Sequence, residues 1–114
     1  DRRLANQLQA SESHVKFLLS ELYYVGVKTD VYAYGSVTGD VKTSEAEASL
    51  KKLYAPWSKV FLMLQAKKFD SQGEGYSEAI HWFMQSVGVT SAKDLPYDFV
   101  FILRFDIVFT SSAM

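Results

Sequence analysis

Apolar positions along the chain alternate between helical spacing and short oily runs. Val15, Leu18, Leu19, Leu22, Tyr23 and Val25 fall largely at helical spacing, which predicts a helix over 12–25. Ser11 or Ser13 could cap it, and Gly26 is placed to end it in the left-handed conformation. Residues 1–10 are polar and weakly patterned, a lead-in or an irregular amino-terminal helix. Val27 to Tyr34 then reads as a strand centred on Val31, Tyr32, Ala33 and Tyr34, and Gly35-Ser36-Val37-Thr38-Gly39-Asp40 has turn chemistry. Ser44-Glu45-Ala46-Glu47 has the form of a capping box, with Ser44 as N-cap, opening a helix that runs to Tyr54 and stops before Pro56. Trp57 starts or braces a second strand, Lys59 to Gln65, whose centre Val60-Phe61-Leu62-Met63-Leu64 is continuously apolar and so suits burial on both faces. After a glycine-bearing loop (Phe69 to Gly75), Tyr76, Ala79, Ile80, Phe83, Met84 and Val87 form the clearest amphipathic stripe, which Gly88 ends.

The last oily stretch is Leu95-Pro96-Tyr97-Asp98-Phe99-Val100-Phe101-Ile102-Leu103-Arg104-Phe105-Asp106-Ile107-Val108-Phe109. Pro96 fixes φ and pushes Leu95 towards an extended conformation, and five uninterrupted apolar residues, Phe99 to Leu103, predict a third doubly buried strand. Arg104 and Asp106 break the pattern, because burying either charge unpaired costs several kcal/mol, roughly. The expectation is that the chain leaves the sheet here and presents both side chains at the carboxyl end of the strand, where open α/β sheets hold ligands. Two roles are open to the pair: a structural ion pair turning into solvent, or a carboxylate holding a hard divalent cation beside a guanidinium near phosphate. The order α-β-α-β-α-β implies parallel strands joined by right-handed helical crossovers, hence an α/β class.

Composition narrows the functions without choosing one. With 114 residues the chain forms one domain with a modest core, and at 15% aromatic it carries large residues for that core or for a partner. A formal net charge of −1, with basic residues paired only at Lys51-Lys52 and Lys67-Lys68, argues against nucleic-acid binding through a basic footprint. The absence of cysteine excludes disulfides, thiolate metal sites and a cysteine nucleophile. No apolar run approaches a bilayer span, so no transmembrane segment is expected, and the first residues lack a signal core.

The segment Tyr97-Asp98-Phe99-Val100-Phe101-Ile102-Leu103-Arg104-Phe105-Asp106 resembles nucleotide-sugar glycosyltransferase-like proteins of the GT-A type, in which a hydrophobic strand ends in Arg-x-Asp. Other GT-A enzymes carry Asp-x-Asp there, so Arg104 stands in the place of the first acid. Asp30-Val31-Tyr32-Ala33-Tyr34 and Gln72-Gly73-Glu74-Gly75-Tyr76-Ser77 are similar to two further pieces of the same family. The resemblance implies a small three-layer Rossmann-like (GT-A-like) parallel sheet with helices on both faces, spanning residues 1–114 as a single half-domain. It also implies a nucleoside diphosphate sugar as ligand. Asp106 would hold Mn2+ or Mg2+ with the diphosphate, and Arg104, Tyr34, Gly35, Gln72 and Tyr76 would line the donor site.

Plainer readings stand beside these. Gly73 and Gly75 are too sparse for a phosphate loop, Tyr76 lies on the apolar stripe and so suits core packing, and His14 and His81 each lack a companion for a metal pair. No early apolar run supplies the central strand with which such a half-domain begins, so the sheet is expected to be incomplete. Its exposed edges would call for a protein partner, a second copy or a missing chain segment. The alternative function is therefore a non-catalytic structural or linker subunit of a larger assembly. A flavodoxin-like ligand-binding module is a third class, set back by the lack of a phosphate loop.

Overall fold

The computed structural model describes residues 2–36, 42–65 and 72–103, with the backbone alone at 2–7 and 72–74. Helix α1 (Arg2–His14) passes directly into a π-helical segment (Val15–Leu19) and returns to α geometry in α2 (Ser20–Tyr24). The chain continues through strand β1 (Asp30–Ser36), helix α3 (Thr43–Tyr54), strand β2 (Lys59–Gln65), helix α4 (Gln72–Val87) and a 3-10 turn (Ala92–Asp94). The class is α/β: β1 and β2 form a two-stranded parallel sheet in which Asp30 faces Lys59 and Ser36 faces Gln65.

Alternation along the strands sorts their side chains onto two faces. On one face Val31, Val60, Leu62 and Leu64 join a core formed with Val15, Leu19, Ala46, Leu50 and Tyr54, which ties the π-helical segment and α3 to the sheet. On the other, the ring of Tyr32 stacks on its cross-strand neighbour Phe61 at 4.6 Å. Trp82 and Phe83 of α4 meet Tyr32 there edge-on, at 5.9 and 4.8 Å. α3 and α4 thus meet opposite faces of the same strand pair.

Both glycine stops form as the sequence predicts: Gly26 has φ 85 and Gly88 φ 89, with backbone bonds closing the turns onto Tyr23 and Leu22, and onto Met84 and Gln85. Nothing lies within 4 Å of a Cβ built on Gly88, so substitution there meets backbone strain alone. Gly88→Ala is expected to cost about 1 kcal/mol in chemical denaturation, with an unchanged m value.

Three expectations are corrected. Residues 2–14 are helical in full, the second of the two readings of that stretch, so no separate helix starts at 12 and neither Ser11 nor Ser13 is a cap. Ala10, Ser11 and Ser13 are buried, small enough to let the helix approach its neighbours closely. The capping box does not form: Lys42 is the N-cap, extended at ψ 140, and its carbonyl already accepts from the amides of Glu45 and Ala46, which places Ser44 inside the helix. The third strand is absent among the described residues. Phe99 to Leu103 carries no ladder and is exposed, Phe99 by 84%. A strand needs a neighbour to accept its backbone bonds, whereas this segment is fixed at its start through a side chain. The Tyr97 hydroxyl donates to Asp30 Oδ2 at 2.6 Å and its ring stacks on Phe83.

Candidate functional site

Parallel strands ending level with one another leave their last carbonyls and the following turns at one rim, the usual ligand position in α/β sheets. Here that rim carries Tyr34, Gly35 and Ser36 from β1 and Leu64 and Gln65 from β2. Tyr34 is its polar centre. Its hydroxyl donates to Glu78 Oε2 at 2.8 Å and accepts from Gln65 Nε2 at 3.4 Å. Trp82 closes over it, ring centroids 5.7 Å apart. A phenol held between a carboxylate acceptor and an amide donor is fixed in rotamer, and the Trp82 ring beside it offers a flat surface for a planar ligand.

Of the residues singled out in the sequence, the structure brings Tyr34 and Gly35 to this rim, and places Gln72 at the start of α4 and Tyr76 one turn further on. Tyr76 is 56% exposed, which overturns its reading as a core residue; the helix turns that edge of its stripe to solvent. Arg104 and Asp106 lie outside the described residues. Among the described residues no group of three or more His, Asp or Glu could hold a metal ion. Glu78, Gln65 and Trp82 escaped sequence reading. They sit far from Tyr34 in sequence, Gln65 on β2 and Glu78 and Trp82 on α4, and none belongs to a recognisable motif.

Two further polar clusters were equally hidden. At the opposite end of β1, Tyr97 donates to Asp30, so in the 2.9 Å contact between the hydroxyls of Tyr32 and Tyr97 the donor is Tyr32. Burial, then the hydrogen bonds to Asp30 and Tyr32, push the Tyr97 phenol far above its ordinary value. Beneath the π-helical segment, His14 is 4% exposed and its Nδ1 lies 3.5 Å from the hydroxyl of Tyr54. Burial raises the Tyr54 phenol as well. Ser11 lies near enough to offset part of that shift without reaching hydrogen-bond geometry. The His14–Tyr54 cluster is an interior tie, and the Asp30–Tyr32–Tyr97 cluster a half-buried one.

No protein-family model matches the chain, and comparison with curated proteins and with solved structures returns no match. Among the described residues no helix is long and apolar enough to cross a membrane.

Proposed function

We propose that the chain is the donor-side part of a nucleotide-sugar glycosyltransferase-like domain of GT-A type, on a three-layer Rossmann-like scaffold, binding a nucleoside diphosphate sugar rather than transferring the sugar by itself. The observation that carries the reading is the placement of α3 and α4 on opposite faces of one parallel strand pair, with the Tyr34–Glu78–Gln65 network at its carboxyl rim. β1–α3–β2 is one parallel crossover; with α4 on the other face, a strand added by a right-handed return would fall on the β1 side and create the winding reversal at which α/β sheets bind nucleotides. In this reading Trp82 and Tyr34 face the base or sugar, and the start of α4 at Gln72 faces the phosphates with its amides. Asp106 supplies the carboxylate for Mn2+ or Mg2+, completed by diphosphate and water, and Arg104 pairs with phosphate charge.

The test is thermal melting with UDP or GDP in the presence and absence of MnCl2. A metal-dependent rise in melting temperature is expected, lost in Asp106→Ala and reduced several-fold in apparent affinity in Tyr34→Phe. Equal melting curves with and without both nucleotides would sink the reading.

A second reading, a non-catalytic structural subunit, is favoured by one specific observation. Phe99, Val100, Phe101, Ile102 and Leu103 are all exposed, a contiguous oily segment of the kind that marks a protein contact. On that reading neither nucleotide shifts the melting curve.

A further inference from the structure

Among the described residues the outer edge of β2 is open, and its two faces limit which strand could add to it. Among the described residues β2 has β1 as its single neighbour, so the backbone groups on its other side are without a ladder. On the α3 face of that edge lies a groove of about 380 Å³ lined by Ser44, Glu47, Ala48 and Lys51 of α3 and by Val60 and Leu62 of β2. No residue of β1 lines it, which puts it on the side of β2 away from β1. On the opposite face of the same strand, Phe61 and Met63 are 40% and 36% exposed. A strand added here must therefore cover apolar side chains on both faces at once. An alternating polar–apolar strand would leave one face wet. An uninterrupted apolar strand would cover both.

The described chain contains one exposed segment of that kind, Phe99-Val100-Phe101-Ile102-Leu103. It cannot reach the groove of its own molecule by an ordinary connection. Tyr97 is pinned to Asp30 and Tyr32 of β1 and stacks on Phe83, so the segment starts on the β1 side of the sheet. A parallel return to the outer edge of β2 through α4, on the face opposite α3, would be a left-handed crossover, a connection found in only about 2% of cases.

We propose that the outer edge of β2 pairs with Phe99–Leu103 of a second copy of this chain, an intermolecular strand addition that uses the groove between α3 and β2 as its side-chain pocket. Main-chain bonds supply the attraction and alternate side chains the specificity: one set enters the groove beside Val60 and Leu62, the other covers Phe61 and Met63. Each molecule carries both the donor segment and the acceptor edge, so two copies can close reciprocally about a two-fold axis. The proposal is independent of nucleotide binding.

Because the chain has no cysteine, a pair of introduced thiols reports the contact cleanly. Met63→Cys and Phe101→Cys, both at exposed positions, are expected to give a mixed disulfide between the two different variants when they are combined and oxidised. Sedimentation of the unmodified chain should show self-association that Phe101→Lys weakens about tenfold or more, with the melting curve of the dilute variant unchanged. Three results would overturn the proposal: a monomer at every concentration, an intramolecular disulfide in the Met63→Cys/Phe101→Cys double variant, or cross-linking of Phe101→Cys only to itself.

Discussion

Replacing Leu50 with alanine is expected to lower the unfolding free energy by about 3 kcal/mol. Leu50 is 5% exposed and belongs to the cluster in which α3 meets Val15 and Leu19 of the π-helical segment and Leu64 of β2. Three elements share its contacts, so none can close the space without giving up packing against the other two, and the cavity term adds to the lost burial. In a small domain whose total stability is about 5–15 kcal/mol, such a loss removes about a fifth to three-fifths of it. Lys52→Ala, two residues on and exposed, should stay within about 0.5 kcal/mol and serves as the control. Urea denaturation followed by circular dichroism separates the two. A loss at Leu50 no larger than at Lys52 would mean that the α3 face does not hold the fold together.

The same cluster shows what was legible in the chain. β2 spans Lys59–Gln65, as its continuous apolar centre predicts, but the expected burial on both faces is corrected: α3 covers Val60, Leu62 and Leu64, while Phe61 and Met63 on the other face stay 40% and 36% exposed. The two glycine stops were legible because a positive φ is a local demand that few residues meet. The first helix was legible only in part: its continuity through Ala10, Ser11 and Ser13 was missed, since these pack by being small rather than by being oily, and periodicity of large apolar residues passes over them. α4 begins at Gln72 rather than Tyr76 because Gly73 and Gly75, which read as loop, are carried in its first turn.

The last oily run shows where composition stops informing structure. Phe99 to Leu103 has the residue types of a buried strand, and those types state only that burial would be favourable. Whether a ladder forms depends on an edge being presented at the right place and hand, which is a property of the whole fold. Here the nearest described strand, β1, holds the segment through the phenol of Tyr97 and not through its backbone. The rim network was illegible for the same reason. Tyr34 and Glu78 are joined by the return of α4 across β1, an event that no local spacing encodes. Of the site read from the sequence, Tyr34, Gly35 and the start of α4 therefore have a place at or near one rim, while Arg104 and Asp106 lie outside the described residues.

Raising the pH is expected to destabilise the protein from about pH 10 upward, with Tyr54 in the core and the half-buried Tyr97, whose share solvent screening reduces, both contributing. Both phenols are shifted up from their ordinary value of 10.0, Tyr97 by burial and its bonds to Asp30 and Tyr32, Tyr54 by burial. Between the unfolded and folded values the native state keeps a proton that the unfolded chain gives up, so stability falls with rising pH. Below about pH 10 both states hold the proton and these two groups contribute no slope. Ionised Tyr97 would also face the carboxylate of Asp30 across a contact of 2.6 Å, turning a hydrogen bond into a like-charge repulsion. Tyr97→Phe keeps the ring on Phe83 and removes the proton, so it should cost about 1 kcal/mol at neutral pH and flatten the alkaline fall. Tyr54→Phe should flatten it independently, since its ring sits in the α3 core away from Tyr97. Urea titrations at a series of pH values between 7 and about 11.5 read both slopes. If the alkaline slope is the same in the double variant as in the unmodified chain, these two phenols do not contribute to the loss of stability at high pH.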